Sequence, residues 1–120
     1  MNKTYWGYHL QLDLRNCNEN AIWPNEDKIY SFTKELVEAI DMVAYGEPQI
    51  VHFGTGNKSG YTLIQLIETS NIAAHFCDES GDVYLDIFSC KEFSMKVVMD
   101  LVRKWFEPEY ITPFFRNRQA

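Results

Sequence analysis

Between Tyr8 and Leu14 the chain alternates without a break. Tyr8, Leu10, Leu12 and Leu14 share one face, and His9, Gln11 and Asp13 share the other. Successive side chains of a strand point to opposite sides, so this stretch predicts a strand with one face buried and one polar. Val83 to Phe88 repeats the alternation. A sheet built from such strands must have its apolar face covered, and two stretches of helical period can cover it. In the first, Ile29, Phe32, Leu36, Val37, Ile40, Val43 and Ala44 recur at helical spacing. Asn25 is a good N-cap for it, Glu26 and Asp27 suit the first turn, and Gly46 with Pro48 ends the run. In the second, Phe93, Val97, Val98, Leu101, Val102 and Trp105 form the stripe and Pro108 stops it. Ser89 and Glu92, just ahead, have capping-box spacing.

The remaining segments complete the order. Asn16 to Asn25, rich in Asn and containing Pro24, reads as a loop. Gln49 to Phe53 is a short strand and Gly54 to Gly60 a glycine-rich loop. Tyr61 to Ser70 and Asn71 to Phe76 are extended, so Thr69 and Ser70 lie near a junction. Cys77 to Asp82 turns the chain, and Tyr110 to Phe115 adds a last strand. The order β-α-β-β-β-β-α-β predicts an α+β fold: a two-layer α/β sandwich, an antiparallel sheet with two helices on one face. The other sheet face is left for a partner, which points to a dimer.

A chain of 120 residues is one domain, residues 1–120. Its 46% hydrophobic and 15% aromatic content supports a packed core, and its net charge of −6 lacks the basic footprint that nucleic acid or an anionic membrane requires. The three cysteines, Cys17, Cys77 and Cys90, form no Cys-x-x-Cys pair, and the start of the chain has no apolar leader. The expectation is a cytoplasmic protein with reduced thiols. Gly54, Gly56 and Gly60 with Lys58 lack the phosphate-loop spacing. His9 and Asp13 lack a third ligand, and no metal is expected.

The stretch from Gly60 to Cys90 says more. Gly60 and Thr62 lead into a hydrophobic strand that reaches Ser70; His75 follows five residues later and Cys90 fifteen beyond that, in the ending Asp86, Ile87, Phe88, Ser89, Cys90. This pattern resembles the short prokaryotic form of S-adenosylmethionine decarboxylase, a pyruvoyl-dependent family. Gly7, His9, Leu10 and Asp13 echo the start of that family. The resemblance implies a proenzyme. The Ser70 hydroxyl attacks the carbonyl of Thr69, and the chain is cut between 69 and 70. A pyruvoyl group remains at residue 70, and chains 1–69 and 70–120 stay associated. Decarboxylation requires an electron sink that standard side chains lack, and a ketone forming a Schiff base with the substrate amine provides one. The resemblance assigns Thr62 to steady the processing intermediate, His75 to remove the α-proton of Ser70, Cys90 to return a proton to the substrate, and Glu79 to bind the ribose hydroxyls. Imidazole and carboxylate are the side-chain types suited to those tasks.

Several positions depart from the family pattern. The residue before the serine is usually glutamate and here is Thr69; the residue after it is usually histidine and here is Asn71. A phenylalanine that helps stack the adenine is replaced by Gly56, and Phe76 or Phe53 would have to compensate. Three functions follow from the resemblance and its gaps. The first is decarboxylation of S-adenosylmethionine, supplying aminopropyl groups for spermidine synthesis by a homodimer of two-chain protomers. The second is the same chemistry on a basic amino acid such as ornithine or arginine. The third is an unprocessed, non-catalytic binding or regulatory subunit.

Overall fold

Leu10, Leu12 and Leu14 are all at most 1% exposed, and the elements that bury them follow the predicted order. A computed structural model describes residues 4–17 and 24–120; the loop reading over 18–23 lies outside the described residues. The elements are β1 (Gly7–Arg15), α1 (Glu26–Ala39), β2 (Gln49–Phe53), a short 3-10 turn (Gly56–Lys58), β3 (Gly60–Ile67), β4 (Ser70–Cys77), β5 (Val83–Ser89), α2 (Met95–Phe106) and β6 (Tyr110–Arg118). The strands form one antiparallel sheet in the order β2-β3-β4-β5-β1-β6.

Register follows from the apolar alternation. Leu12 pairs with Leu85, Leu85 with Ala74, and Ala74 with Leu63, so one buried row crosses four strands. Both helices lie over this face. Ile29, Phe32, Leu36 and Val37 of α1 and Val98, Leu101, Val102 and Phe106 of α2 join the sheet residues in a single core. Phe106 sits between Phe32 and Phe76, with ring centroids 4.7 and 5.6 Å away. The opposite face carries Val51, Ile64, Leu66, Tyr84 and Phe114, all exposed. Among the described residues no helix is long and apolar enough to cross a membrane.

Both helices start and end by identifiable devices, and two boundaries differ from expectation. Asn25 caps α1, its side chain accepting from the Lys28 N–H at 2.9 Å. The helix stops at Ala39, so Val43 and Ala44 lie outside it. Asp41 takes a left-handed φ of 58°. Its N–H donates to the Glu38 carbonyl, and the Met42 N–H donates to the Val37 carbonyl. That is a Schellman ending with aspartate in the glycine position, and it buries Met42 beneath the sheet's end. At α2 the N-cap is Ser94, which accepts from the Val97 N–H at 3.2 Å. Ser89 is therefore not the cap; it is the last residue of β5 and wholly buried.

Deleting the Phe106 ring should cost about 3–5 kcal/mol of stability, the usual range for a buried phenylalanine. Urea unfolding of Phe106→Ala beside the unsubstituted chain checks this. A loss below about 1 kcal/mol would show that the core closes without this ring.

Candidate active site

β3 and β4 are joined by Glu68 and Thr69 alone, with Ile67 paired to Ser70. The strands thus meet closer to the serine than expected: Tyr61 to Ser70 is not one strand, and Ser70 opens the next. Two-residue hairpin loops favour primed turns, which need positive φ inside the loop and select glycine or asparagine. Neither Glu68 nor Thr69 has positive φ. Ser70 does, at 153°. That region is nearly reserved for glycine, costs on the order of 1–3 kcal/mol, and persists only where the surroundings impose it.

The surroundings grip the turn from both sides. The segment after α1 runs along one flank: the Glu68 N–H donates to the Val43 carbonyl at 2.9 Å, and the Tyr45 N–H donates to the Leu66 carbonyl at 2.9 Å. Ala44 makes a bridge with Ile67. On the other flank the Cys90 N–H donates to the Thr69 carbonyl at 2.9 Å. The carbonyl preceding Ser70 is thus already held by an amide donor, in the arrangement that stabilises charge building on a carbonyl oxygen under attack. Sequence reasoning finds Cys90 by its thiol and misses its amide; only the pairing of Ser70 with Ser89 reveals it. The Cys90 side chain is exposed beside this turn. Burial pushes the Cys17 thiol up to about 12 and also raises Cys77, which leaves those thiols protonated and unreactive.

Thr62 and His75 meet at the far end of the same strands. They are direct cross-strand partners, and Thr62 Oγ1 lies 3.2 Å from His75 Nδ1. Thr62 is half-buried and His75 exposed. Tyr84 is the other neighbour of His75, with its hydroxyl pKa raised by burial and then by Asp82. Glu79 is exposed in the turn between β4 and β5. His75 follows Ser70 by five residues along one extended strand, a separation of about 16 Å. One copy of the chain therefore brings Thr69, Ser70 and Cys90 together and, separately, Thr62 and His75, with Glu79 at the latter end.

The two aromatics expected to replace the residue at Gly56 have different fates. Phe76 is buried against Phe106 and faces no cleft. Phe53 is 58% exposed and borders an open cleft of about 310 Å³ with Gln49, Val51, Thr62 and Ile64. A second aromatic surface lies near the Cys90 end. Trp6 stacks on Phe88 at 5.9 Å, and the Arg118 guanidinium sits 5.1 Å from the Phe88 ring. Trp6, Phe88, Arg116 and Arg118 line a cleft of about 440 Å³. The strand period places Phe88 on this face, but nothing in the sequence brings β6 beside it. Among the described residues no cluster of His, Cys, Asp and Glu could hold a metal ion.

Most of the chain is similar to known proteins. The family profile of S-adenosylmethionine decarboxylase matches residues 8–119. An S-adenosylmethionine decarboxylase proenzyme of Clostridium botulinum (strain Hall) is 30% identical over 113 residues, covering 94% of this chain and 83% of its own. The proenzyme of Archaeoglobus fulgidus is 30% identical over 113 residues, covering 93% and 96%. In three dimensions the crystal structure of the adenosylmethionine decarboxylase from Aquifex aeolicus superposes with a TM-score of 0.77. It is 19% identical and covers 98% of this chain and 94% of its own, a likeness of fold.

The conformation of Ser70 is open to direct measurement. Ser70→Gly and Ser70→Ala both remove the hydroxyl, but only glycine accepts a φ of 153° freely. The glycine variant should be the more stable by about 1 kcal/mol, despite glycine's usual entropic penalty. Equal urea midpoints would mean that the turn stores no strain.

Proposed function

The chain belongs to the S-adenosylmethionine decarboxylase family, and we propose that it reaches that activity by converting its own Ser70 into a pyruvoyl group. The observation that carries this reading is the Thr69 carbonyl, fixed by the Cys90 amide next to a strained serine. Attack by Ser70 Oγ forms an ester to the Thr69 carbonyl carbon and breaks the peptide C–N bond, with the hydroxyl proton passing to the freed nitrogen. Removal of the Ser70 α-proton then expels the Thr69 carboxylate from Cβ. Water adds to the resulting unsaturated residue and ammonia leaves, so that fragments 1–69 and 70–120 remain.

When present, the pyruvoyl carbonyl at residue 70 provides the electron sink for loss of CO₂ from S-adenosylmethionine. The chain's residues do the rest. The Cys90 amide holds the oxygen on which charge develops, and its thiol returns a proton to the substrate α-carbon. His75, hydrogen-bonded to Thr62, accepts the Ser70 α-proton, and Glu79 accepts the ribose hydroxyls.

A transfer over about 16 Å is not possible within one strand, so the reading requires a second copy. Two chains related by a two-fold axis, with their open sheet faces together, bring the Ser70 end of one over the His75 end of the other. The contact is isologous, so both sites are completed at once. It also covers Val51, Ile64, Leu66, Tyr84 and Phe114, apolar side chains that are all exposed on this face of the single copy.

Three measurements test this. The purified chain should separate on denaturing electrophoresis into fragments of residues 1–69 and 70–120, the second with a blocked first residue; a single intact species after long incubation refutes self-processing. His75→Ala and Ser70→Ala should each fail to cleave alone. Unfolded together and refolded as a mixture, they should cleave the His75→Ala chain, because its Ser70 now meets an intact His75. No cleavage in that mixture refutes a site shared across the two-fold. Finally, CO₂ should be released from S-adenosylmethionine and not from ornithine or arginine, and Cys90→Ala, which keeps the amide, should process while losing turnover.

A further inference from the structure

We propose that Ser89 is a positioning residue for self-processing: its buried hydroxyl fixes the Thr69 side chain, and with it the carbonyl that Ser70 attacks, against the amide of Cys90. The inference rests on the self-processing reading above and adds to it a residue outside the reacting set.

Ser89 is 0% exposed at the end of β5. Because Ser94 caps α2, the Ser89 hydroxyl is free for other contacts, and it has three. Ser89 Oγ accepts from the Lys91 N–H at 2.9 Å and lies 2.9 Å from Thr69 Oγ1. It lies 3.7 Å from Met42 Sδ, whereas Thr69 Oγ1 lies 3.2 Å from that sulfur. An amide can only donate and a thioether can only accept, and each hydroxyl has one proton. Thr69 makes the shorter of the two contacts to the sulfur, which assigns the Thr69 proton to Met42 and gives the chain of bonds its direction. The Lys91 N–H donates to Ser89, the Ser89 hydroxyl to Thr69, and the Thr69 hydroxyl to Met42.

This relay acts on both partners of the critical contact. Accepting from Lys91 fixes the bend after β5 that aims the Cys90 N–H, while donating to Thr69 fixes the residue whose carbonyl receives it. Lys91 adds a second strap, its ammonium donating to the Asp41 carbonyl at 2.6 Å and lying 3.1 Å from the Asp41 carboxylate. The Schellman ending of α1 supplies both anchor points, Met42 and Asp41. The threonine at 69, where the family pattern has glutamate, thus has a use of its own: its short hydroxyl turns inward onto Ser89, while Glu68 beside it is exposed.

The test follows cleavage of freshly folded chain over time, with hydroxylamine added to trap the ester that forms before elimination. Ser89→Ala should slow fragment appearance about tenfold, the equivalent of one buried hydrogen bond, and lower the hydroxylamine-cleavable fraction. Ser89→Thr, which keeps the hydroxyl, should recover most of the rate. Thr69→Val removes the same relay from a half-buried turn position without emptying the core, and should slow cleavage about as much. Combined with Ser89→Ala it should add less than twofold, since both break one chain of bonds. A general loss of packing would lower stability without changing the trapped ester fraction and without rescue by threonine. If the native chain cleaves and both single variants cleave at its rate, the proposal is wrong while the self-processing reading stands. If the native chain does not cleave at all, both fall.

Discussion

β4 has neighbours on both sides, and its register against them is the constraint on which the site depends. Leu63, Ala74, Leu85 and Leu12 align as one buried row. A slip of one residue would turn Ile72, Ala74 and Phe76 out to water and bring Asn71 and His75 into the core. Holding that row fixes Ser70 opposite Ile67 on one side and Ser89 on the other. It leaves only Glu68 and Thr69 to reverse the chain.

The site geometry is the residue of that constraint. In this short reversal neither the glutamate nor the threonine takes the positive φ that hairpins prefer, and the unfavourable angle falls on the following residue. Ser70 bears it because pairing continues on both flanks, through Val43 to Tyr45 and through Cys90. Ordinary sheet hydrogen bonding therefore does two things at once here: it completes the ladder, and it points an amide at the carbonyl of residue 69.

Much of the architecture was legible in the sequence because alternation and helical period are strong local signals. The strands of Leu10 and Val83, the cap at Asn25 and the order of all elements follow from them. What was not legible depends on neighbours distant in sequence. Asp41 ends α1 early because its left-handed turn is rewarded by buried Met42, whereas the helical spacing of Val43 and Ala44 reads straight through it. Ser89 has a cap's spacing, yet Ser94 does the capping, because β5 still pairs with β4 at Ser89. The spacing of Ser70, His75 and Cys90 marks the residues of interest but not their separation, since five residues of strand span far more than a hydrogen bond. Phe76 reads as an available aromatic, and only its packing on Phe106 shows that it is occupied.

The strand order has a consequence for the proposed cut between residues 69 and 70. Residues 1–69 contribute β1, β2 and β3, and residues 70–120 contribute β4, β5 and β6. In the sheet, β1 lies between β5 and β6, so the fragments are interleaved and cannot part as two blocks. Separating them means breaking the β3–β4, β5–β1 and β1–β6 interfaces together. Folding of the uncut chain is intramolecular and independent of concentration. Cut as proposed, the two pieces would be held by the sheet and core contacts between them, and reassembly from separated pieces would become a second-order reaction. A chain processed in this way would fold once, before the cut, and the interleaved strands would oppose its coming apart afterwards.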